Sequence, residues 1–131
     1  GLVAIVAVLF FKIHALESMD VDRWRPLLVA PILGRWSMVL LAYRSKAAKA
    51  GLGSHLIDHL QTTHFLIATL VALLLVAAIS RGNGIVMMAW VAVFTSVSKH
   101  YFHRRLDGVT GDIFGAVGEL SETSVMVLLA L

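Results

Sequence analysis

The residues best suited to chemistry lie in one run near the C-terminal end of this sequence. The run borders strongly apolar sequence and carries acidic residues and glycines close together: Asp107, Gly108, Gly111, Asp112, Glu119 and Glu122. Glycine lets the backbone approach a phosphate closely, and carboxylates are ligands for Mg²⁺. Because charge inside or beside an apolar segment is energetically costly, we expect these residues to have a function.

The spacing of the acidic residues predicts one polar helix face. Asp112, Gly115, Glu119 and Glu122 follow one another at intervals of three, four and three residues, which places them on the same side of a helix. Asp112 and Glu119 are then about 10 Å apart along the axis, too far for one metal ion to join them unaided. We therefore expect the wall of a cleft with Asp112 at its mouth. A purely structural role for Asp112, as the N-cap of this helix, is the alternative.

Basic residues are the expected partners of these carboxylates. Arg35 lies near the middle of an apolar segment, at a depth that suits Glu122. The pair is either a structural ion pair or part of a phosphate site. Arg104 and Arg105 precede the acidic turn and either anchor the chain at a membrane surface or bind a polyphosphate. Lys12 is expected to extend toward the outer interface.

Other familiar catalytic patterns are missing from the sequence. His55 and His59 are four residues apart without the intervening Glu of zinc proteases, so a short interfacial helix over residues 54–60 is favoured over a metal set that includes His64. A nucleophile elbow, a phosphate-binding Walker loop and a dinucleotide-binding fingerprint are not found. The residues alone predict a polar cleft, and they do not separate a transferase from a transporter.

The elements that position these residues are predicted to be membrane helices. The 131 residues are 59% hydrophobic and only 15% charged, with a mean hydropathy of +0.86. A soluble domain of this length could not bury so much apolar surface. The net charge of +3 resides in loops between apolar runs, as in membrane proteins, which argues against nucleic-acid binding. No cysteine is available for a disulfide or a thiolate metal site.

The pattern predicts an all-α, polytopic integral membrane bundle with about five transmembrane segments in a single domain, residues 1–131. The segments are residues 1–16, 27–43, 65–80, 84–98 and 113–131. If all five cross, three basic residues lie on one side and six on the other, which is then cytoplasmic by the positive-inside rule. The three are Arg23, Arg25 and Arg81, and the six are Arg44, Lys46, Lys49, Lys99, Arg104 and Arg105. The acidic turn shares the cytoplasmic side.

Two motifs resemble a known family. The run Arg104-Arg-Leu-Asp-Gly-Val-Thr-Gly-Asp-Ile-Phe-Gly-Ala116, followed by Glu119-Leu and Glu122, is similar to the C-terminal signature of the cobalamin synthase (adenosylcobinamide-GDP ribazoletransferase) family. Leu28-Val-Ala-Pro-Ile-Leu-Gly-Arg35-Trp36 is close to that family's Ala-Pro-x-Leu-Gly-Arg-Trp segment. The resemblance extends over the whole chain.

The resemblance implies a multi-pass enzyme of the bacterial inner membrane, in the last steps of cobalamin synthesis. Such an enzyme transfers the adenosylcobinamide-phosphate moiety of adenosylcobinamide-GDP to α-ribazole or its 5′-phosphate, releases GMP and uses Mg²⁺. Matched positions then assign catalysis to Asp112, Arg35 and Glu119, and metal binding to Asp112 and Asp107. They assign substrate and phosphate contacts to Arg104, Arg105, Gly108, Thr110, Gly111 and Glu122. Whether the protein forms a homo-oligomer is left open.

The sequence departs from the family pattern at three points. Asp107 replaces a glycine, and Ile113 replaces a threonine beside Asp112. The family's acidic motif, Asp-Gly-x-Ala-Asp-x-x-Asp-Gly, is not found in these residues, so we expect the chain to correspond to the C-terminal half of a family member, and its activity alone is left open. The alternatives are a phosphotransferase of the CDP-alcohol type and a non-catalytic membrane or transport subunit.

Overall fold

The described part of the chain folds into six helices. The computed structural model describes residues 1–18, 24–47, 50–80 and 82–130. The helices are α1 (Leu2–Glu17), α2 (Trp24–Ala42), α3 (Leu52–His59), α4 (Thr62–Ile79), α5 (Gly84–Leu106) and α6 (Gly111–Ala130). The described residues form no strand beyond a bridge between Ala47 and Val109. The prediction of an all-α fold is confirmed.

Within the described residues, four helices are long and apolar enough to cross a membrane, compared with the about five predicted segments: α2, α4, α5 and α6. The predicted first segment forms α1, whose 16 described residues are fewer than the 18 of the shortest of these four helices. The chain is therefore a multi-pass membrane protein by the length and composition of its helices. The predicted interfacial helix is present as the short helix α3.

Helix α5 continues well beyond the predicted segment. The prediction ended at residue 98 because Lys99, Arg104 and Arg105 are charged, but the helix runs on to Leu106. Basic residues in the last helical turn are stabilised by the negative end of the helix dipole, so charge did not mark the boundary. The helix ends where Asp107 adopts a left-handed conformation, with φ of 57°, followed by Gly108 at 144°.

The core lies along α2, which packs against α4, α5 and α6. A Cβ atom at Gly34 would lie 3.1 Å from the carbonyl oxygen of Gly118, and one at Gly118 would lie 3.2 Å from Sδ of Met38. These glycines therefore let α2 and α6 approach each other closely, as small residues do in membrane helix pairs. Trp36 Nε1 joins α2 to α4 by donating a hydrogen bond to Thr69 Oγ1 at 3.1 Å.

Large apolar side chains cover much of the outer surface. On α4, Leu66, Leu70 and Leu74 are each more than half exposed. A soluble protein would hide such side chains, whereas in a bilayer they contact lipid. The exposed surface therefore agrees with the composition in indicating a lipid environment.

Candidate functional site

The turn between α5 and α6 is fixed by the segment that follows α2. The backbone N–H of Val109 donates to the carbonyl oxygen of Lys46 at 2.9 Å, and the ammonium group of Lys46 lies 2.8 Å from Oδ2 of Asp107. The backbone N–H of Lys46 donates to Nε2 of His103 at 3.0 Å. Since Nε2 accepts this bond, the ring proton is on Nδ1, which donates to the carbonyl oxygen of Lys99 at 2.7 Å. The glycine-rich turn is thus held from both sides.

Asp107, a predicted metal ligand, is already engaged by a cation. The hydrogen bond from Lys46 and its positive charge lower the pKa of Asp107 below the ordinary value of 3.8. The Asp107 side chain is otherwise largely exposed to solvent. In this structure its role is to pair with Lys46 and to close the turn.

Thr110, not Asp112, caps α6. Its hydroxyl accepts a hydrogen bond from the backbone N–H of Ile113 at 3.5 Å, and its carbonyl oxygen accepts one from Phe114. The alternative prediction of Asp112 as the N-cap is therefore wrong, because the helix begins one residue earlier, at Gly111. Asp112 lies exposed in the first turn, where the helix dipole favours a negative charge.

Lys12, rather than Arg35, is the partner of the glutamates. Its Nζ lies 2.9 Å from Oε2 of Glu119 and 3.0 Å from Oε1 of Glu122. The predicted Arg35–Glu122 pair is wrong, and Lys12 turns inward between α1 and α6 instead of extending to the outer interface. Only 17% of the Lys12 side chain and 14% of the Glu122 side chain are exposed. We call Lys12, Glu119 and Glu122 the ion cluster.

Arg35 faces away from α6 because of the helical rotation between neighbouring residues. Gly34 contacts Glu122 on α6, and the next residue points about 100° further around the helix axis. Arg35 therefore lines a groove between α2 and α4, together with Pro31, Val39 and Val71. Its guanidinium has no hydrogen-bond or ion-pair partner within the part of the chain that the structure describes.

Arg104 and Arg105 lie on the outer surface of α5. With Val97, His100 and Tyr101 they line an open groove on this one helix. The guanidinium of Arg105 lies 5.6 Å from the centre of the Tyr101 ring, a cation–π distance. Gly108 is buried and Gly111 is exposed in the adjoining turn.

The predicted polar face of α6 extends along a groove beside α1. Asp112, Gly115 and Glu119 are all exposed and follow one another along the helix, whereas Glu122 is partly buried behind them. The groove, of about 410 Å³, begins at Gly115, about one helical turn beyond Asp112, and extends to Glu119 and Leu120. Its walls come from both helices: Ala4, Ile5 and Val8 of α1, and Gly115, Ala116 and Glu119 of α6.

The acidic residues do not form a complete Mg²⁺ site. In the ranges that the structure describes, no group of three histidine, cysteine, aspartate or glutamate residues could hold a metal ion. The less favoured alternative, a metal set of histidines, is not assembled in the described residues either: the rings of His55 and His59 have centres 4.1 Å apart and are tilted by 41°. Glu119 and Glu122 already pair with Lys12, so of the described α6 carboxylates Asp112 is the one without a cation partner.

The polar face of α6 was predicted from the sequence, but the pairing of Lys12 with its glutamates was not. Lys12 is separated from Glu119 and Glu122 by more than 100 residues, and nothing local to it shows that α1 packs against α6. One usable signal was present: two carboxylates in a membrane helix require a cation, and Lys12 is one of the few cations inside an apolar segment.

The fold and the site together define a multi-pass helical membrane protein with a polar face that starts at a glycine-rich turn. The chain belongs to the cobalamin-5-phosphate synthase family, whose model matches residues 1–130. Named relatives support this membership. The adenosylcobinamide-GDP ribazoletransferase of Geotalea daltonii is 35% identical over the whole of this chain. The enzymes of that name from Desulforamulus reducens and Pseudomonas syringae pv. syringae are 34% and 36% identical over 100% and 99% of it.

The chain spans about half the length of these curated relatives, since the matches cover 54%, 53% and 53% of them, respectively. No solved structure matches the chain.

Proposed function

We propose that the protein carrying this sequence transfers the adenosylcobinamide-phosphate moiety of adenosylcobinamide-GDP to α-ribazole or its 5′-phosphate. A hydroxyl oxygen of the acceptor attacks the phosphorus that bears the cobinamide. The bond from that phosphorus to the bridging oxygen breaks, GMP leaves with this oxygen, and the hydroxyl proton is released. This reaction is supported by the names of the relatives given above and by the description of the family to which the chain belongs.

The observation that carries the proposal is the exposed polar face of α6, which starts at Asp112 beside a turn held in place. The turn presents Gly108, Thr110 and Gly111 next to Asp112, and its conformation is fixed by Lys46 through the Val109 and Asp107 contacts. Fixed backbone groups near a carboxylate suit the binding of phosphate and the charge that develops on it. Arg104 and Arg105 at the end of α5 are proposed as contacts for the donor's phosphates.

We further propose that Asp112 contributes one ligand to Mg²⁺, with the remaining ligands supplied from outside the described residues. Bound there, the ion would offset the negative charge of the diphosphate. Asp107 is better assigned to the turn, because Lys46 holds its carboxylate. Arg35 remains a proposed phosphate contact, but in this structure it faces the α2–α4 groove, away from Asp112.

The location proposed for the site is the cytoplasmic side of the bacterial inner membrane, where the nucleotide-activated donor is available. Two contacts support the placement of the C-terminal ends of α2 and α5 on the same side of the membrane. Lys46, which follows α2, pairs with Asp107 at the end of α5. Lys99 of α5 donates a hydrogen bond to the carbonyl oxygen of Tyr43, which directly follows α2.

A transfer assay tests the proposed function. The full-length protein, reconstituted in lipid with Mg²⁺, is given adenosylcobinamide-GDP and α-ribazole, and cobalamin and GMP are measured together. Equal amounts of both products are expected. GMP release without cobalamin, or no reaction of the folded protein, contradicts the proposal.

A further inference from the structure

The groove between α1 and α6 has the size and position of a substrate subsite. Its volume of about 410 Å³ lies within the roughly 300–1,000 Å³ of small-molecule pockets. It begins three to four residues beyond Asp112, which is about 5 Å along the helix axis. A molecule lying in the groove would therefore reach the mouth of the proposed site. The α2–α4 groove, by contrast, lies on another side of α2, with Arg35.

The lining of the groove is apolar except at its inner end. Ala4, Ile5 and Val8 form the α1 wall, and Gly115 and Ala116 leave space on the α6 wall. A Cβ atom at Gly115 would meet nothing within 4 Å. Small residues facing apolar ones leave a slot that suits a flat ring system without charged groups.

Glu119 gives the inner end of the groove a hydrogen-bond acceptor. Its Oε2 receives a hydrogen bond from Lys12, and Oε1 makes no hydrogen bond within the described residues. Half of its side chain is exposed. Lys12 also pairs with Glu122, so the ion cluster consists of two carboxylates and one ammonium group. The net negative charge complements a ligand that donates hydrogen bonds, such as one with sugar hydroxyls.

Resting on the proposed function, we propose that this groove binds the nucleoside acceptor, α-ribazole. The fused, uncharged base lies against Gly115 and Ala116, and a ribose hydroxyl donates a hydrogen bond to Glu119. Lys12 acts as a positioning residue, because it fixes the Glu119 carboxylate at the end of the groove. The apolar walls then favour a benzimidazole base over bases that carry several polar groups. A lipid acyl chain is the competing occupant, but it has no hydrogen-bond donor for the Glu119 carboxylate.

Filling the groove tests the apolar half of this proposal. In the full-length protein in lipid, Gly115→Leu is expected to raise the KM for α-ribazole at least tenfold, while the KM for adenosylcobinamide-GDP stays within twofold. Gly115→Ala, which leaves most of the space, is expected to have a small effect. Ala78→Leu is the matched control, since Ala78 is exposed on α4, a helix that contributes no residue to the lining of the groove. It should leave both constants unchanged.

Glu119→Gln tests the polar half. It is expected to raise the KM for α-ribazole severalfold and to leave unchanged the inhibition constant of an analogue that lacks the ribose 2′- and 3′-hydroxyls, which binds but has no hydroxyl to react. An equal effect on α-ribazole and on this inhibitor overturns the assignment of Glu119.

Two further outcomes overturn the subsite itself. One is a Gly115→Leu protein whose donor KM rises instead of its acceptor KM. The other is a Gly115→Leu protein in which the KM values for α-ribazole and adenosylcobinamide-GDP are unchanged but a photoreactive acyl-chain lipid no longer labels the groove. That result identifies a lipid site. Either result requires active wild-type protein, whereas failure of the proposed function appears as wild-type protein that forms no cobalamin.

Discussion

At the scale of single residues, pairing determines which carboxylates are available for chemistry. Lys46 occupies Asp107, and Lys12 occupies Glu119 and Glu122. Asp112 is exposed at the start of α6, where it can meet a ligand. The sequence showed the carboxylates and their spacing, but the division between paired and available groups depends on cations that lie far away in the chain.

The Lys46–Asp107 pair predicts how Asp107 responds to pH. Its pKa in the folded protein is lower than the ordinary 3.8, so the pair stabilises the turn fully above about pH 4 and loses this contribution as the pH falls through the folded pKa. Lys46→Met should raise the pKa of Asp107 toward 3.8. A carbon-13 NMR titration of the carboxyl group, assigned with Asp107→Asn, measures the change.

The control for this titration is Arg44→Met. Arg44 is an exposed neighbouring cation that lies 5.3 Å from the Tyr43 ring, and it makes no contribution to the Asp107 pKa. If Arg44→Met raised the pKa of Asp107 as much as Lys46→Met does, the general charge of the turn would be responsible and the specific pair would not.

At the scale of elements, the ion cluster joins α1 to α6. Lys12→Met would leave two carboxylates without a cation in a mostly apolar setting. Removing one partner of a buried ion pair costs about 3 kcal/mol or more. We expect Lys12→Met to lower the free energy of unfolding by about this amount, measured by denaturant titration of the full-length protein in bicelles.

The triple variant Lys12→Met, Glu119→Gln, Glu122→Gln is the matched control for the ion cluster. It removes the unpaired charges and keeps the side-chain sizes, so most of the lost stability should return. If the triple variant were no more stable than Lys12→Met, the methylene packing of Lys12 would matter and its charge would not.

The helices themselves were predicted well, and their ends less so. Runs of apolar residues located α2, α4 and α6 to within about three residues, because lipid-facing helices are apolar on most sides. The end of α5 was missed by eight residues, since a charged helical turn beyond the membrane core looks like a loop in the sequence. The pairing of α1 with α6 and the direction of Arg35 depend on tertiary packing, which periodicity does not reveal.

At the scale of the whole molecule, the proposed function requires the turn after α5 to face the cytoplasm. Leu106 at the end of α5 and Asn83 just before its start are both exposed, so cysteines at these positions report the two sides of the membrane. In the full-length protein free of other cysteines, Leu106→Cys should react with an impermeant maleimide only in inside-out vesicles. Asn83→Cys should react only in right-side-out vesicles. The reverse pattern would overturn the proposed orientation, and labelling of both from one side would contradict the spanning of α5.

In the proposed function, the transfer takes place at the α6 face that starts with Asp112. The most direct measurement compares the turnover of Asp112→Asn with that of wild type, in full-length protein in lipid, with adenosylcobinamide-GDP, α-ribazole and Mg²⁺. Asp58→Asn, an exposed carboxylate change on α3, is the control. We predict that Asp112→Asn lowers kcat by about 100-fold or more, equivalent to about 2.7 kcal/mol, with intact folding and with Asp58→Asn unchanged. Wild-type turnover in folded Asp112→Asn protein would contradict the account.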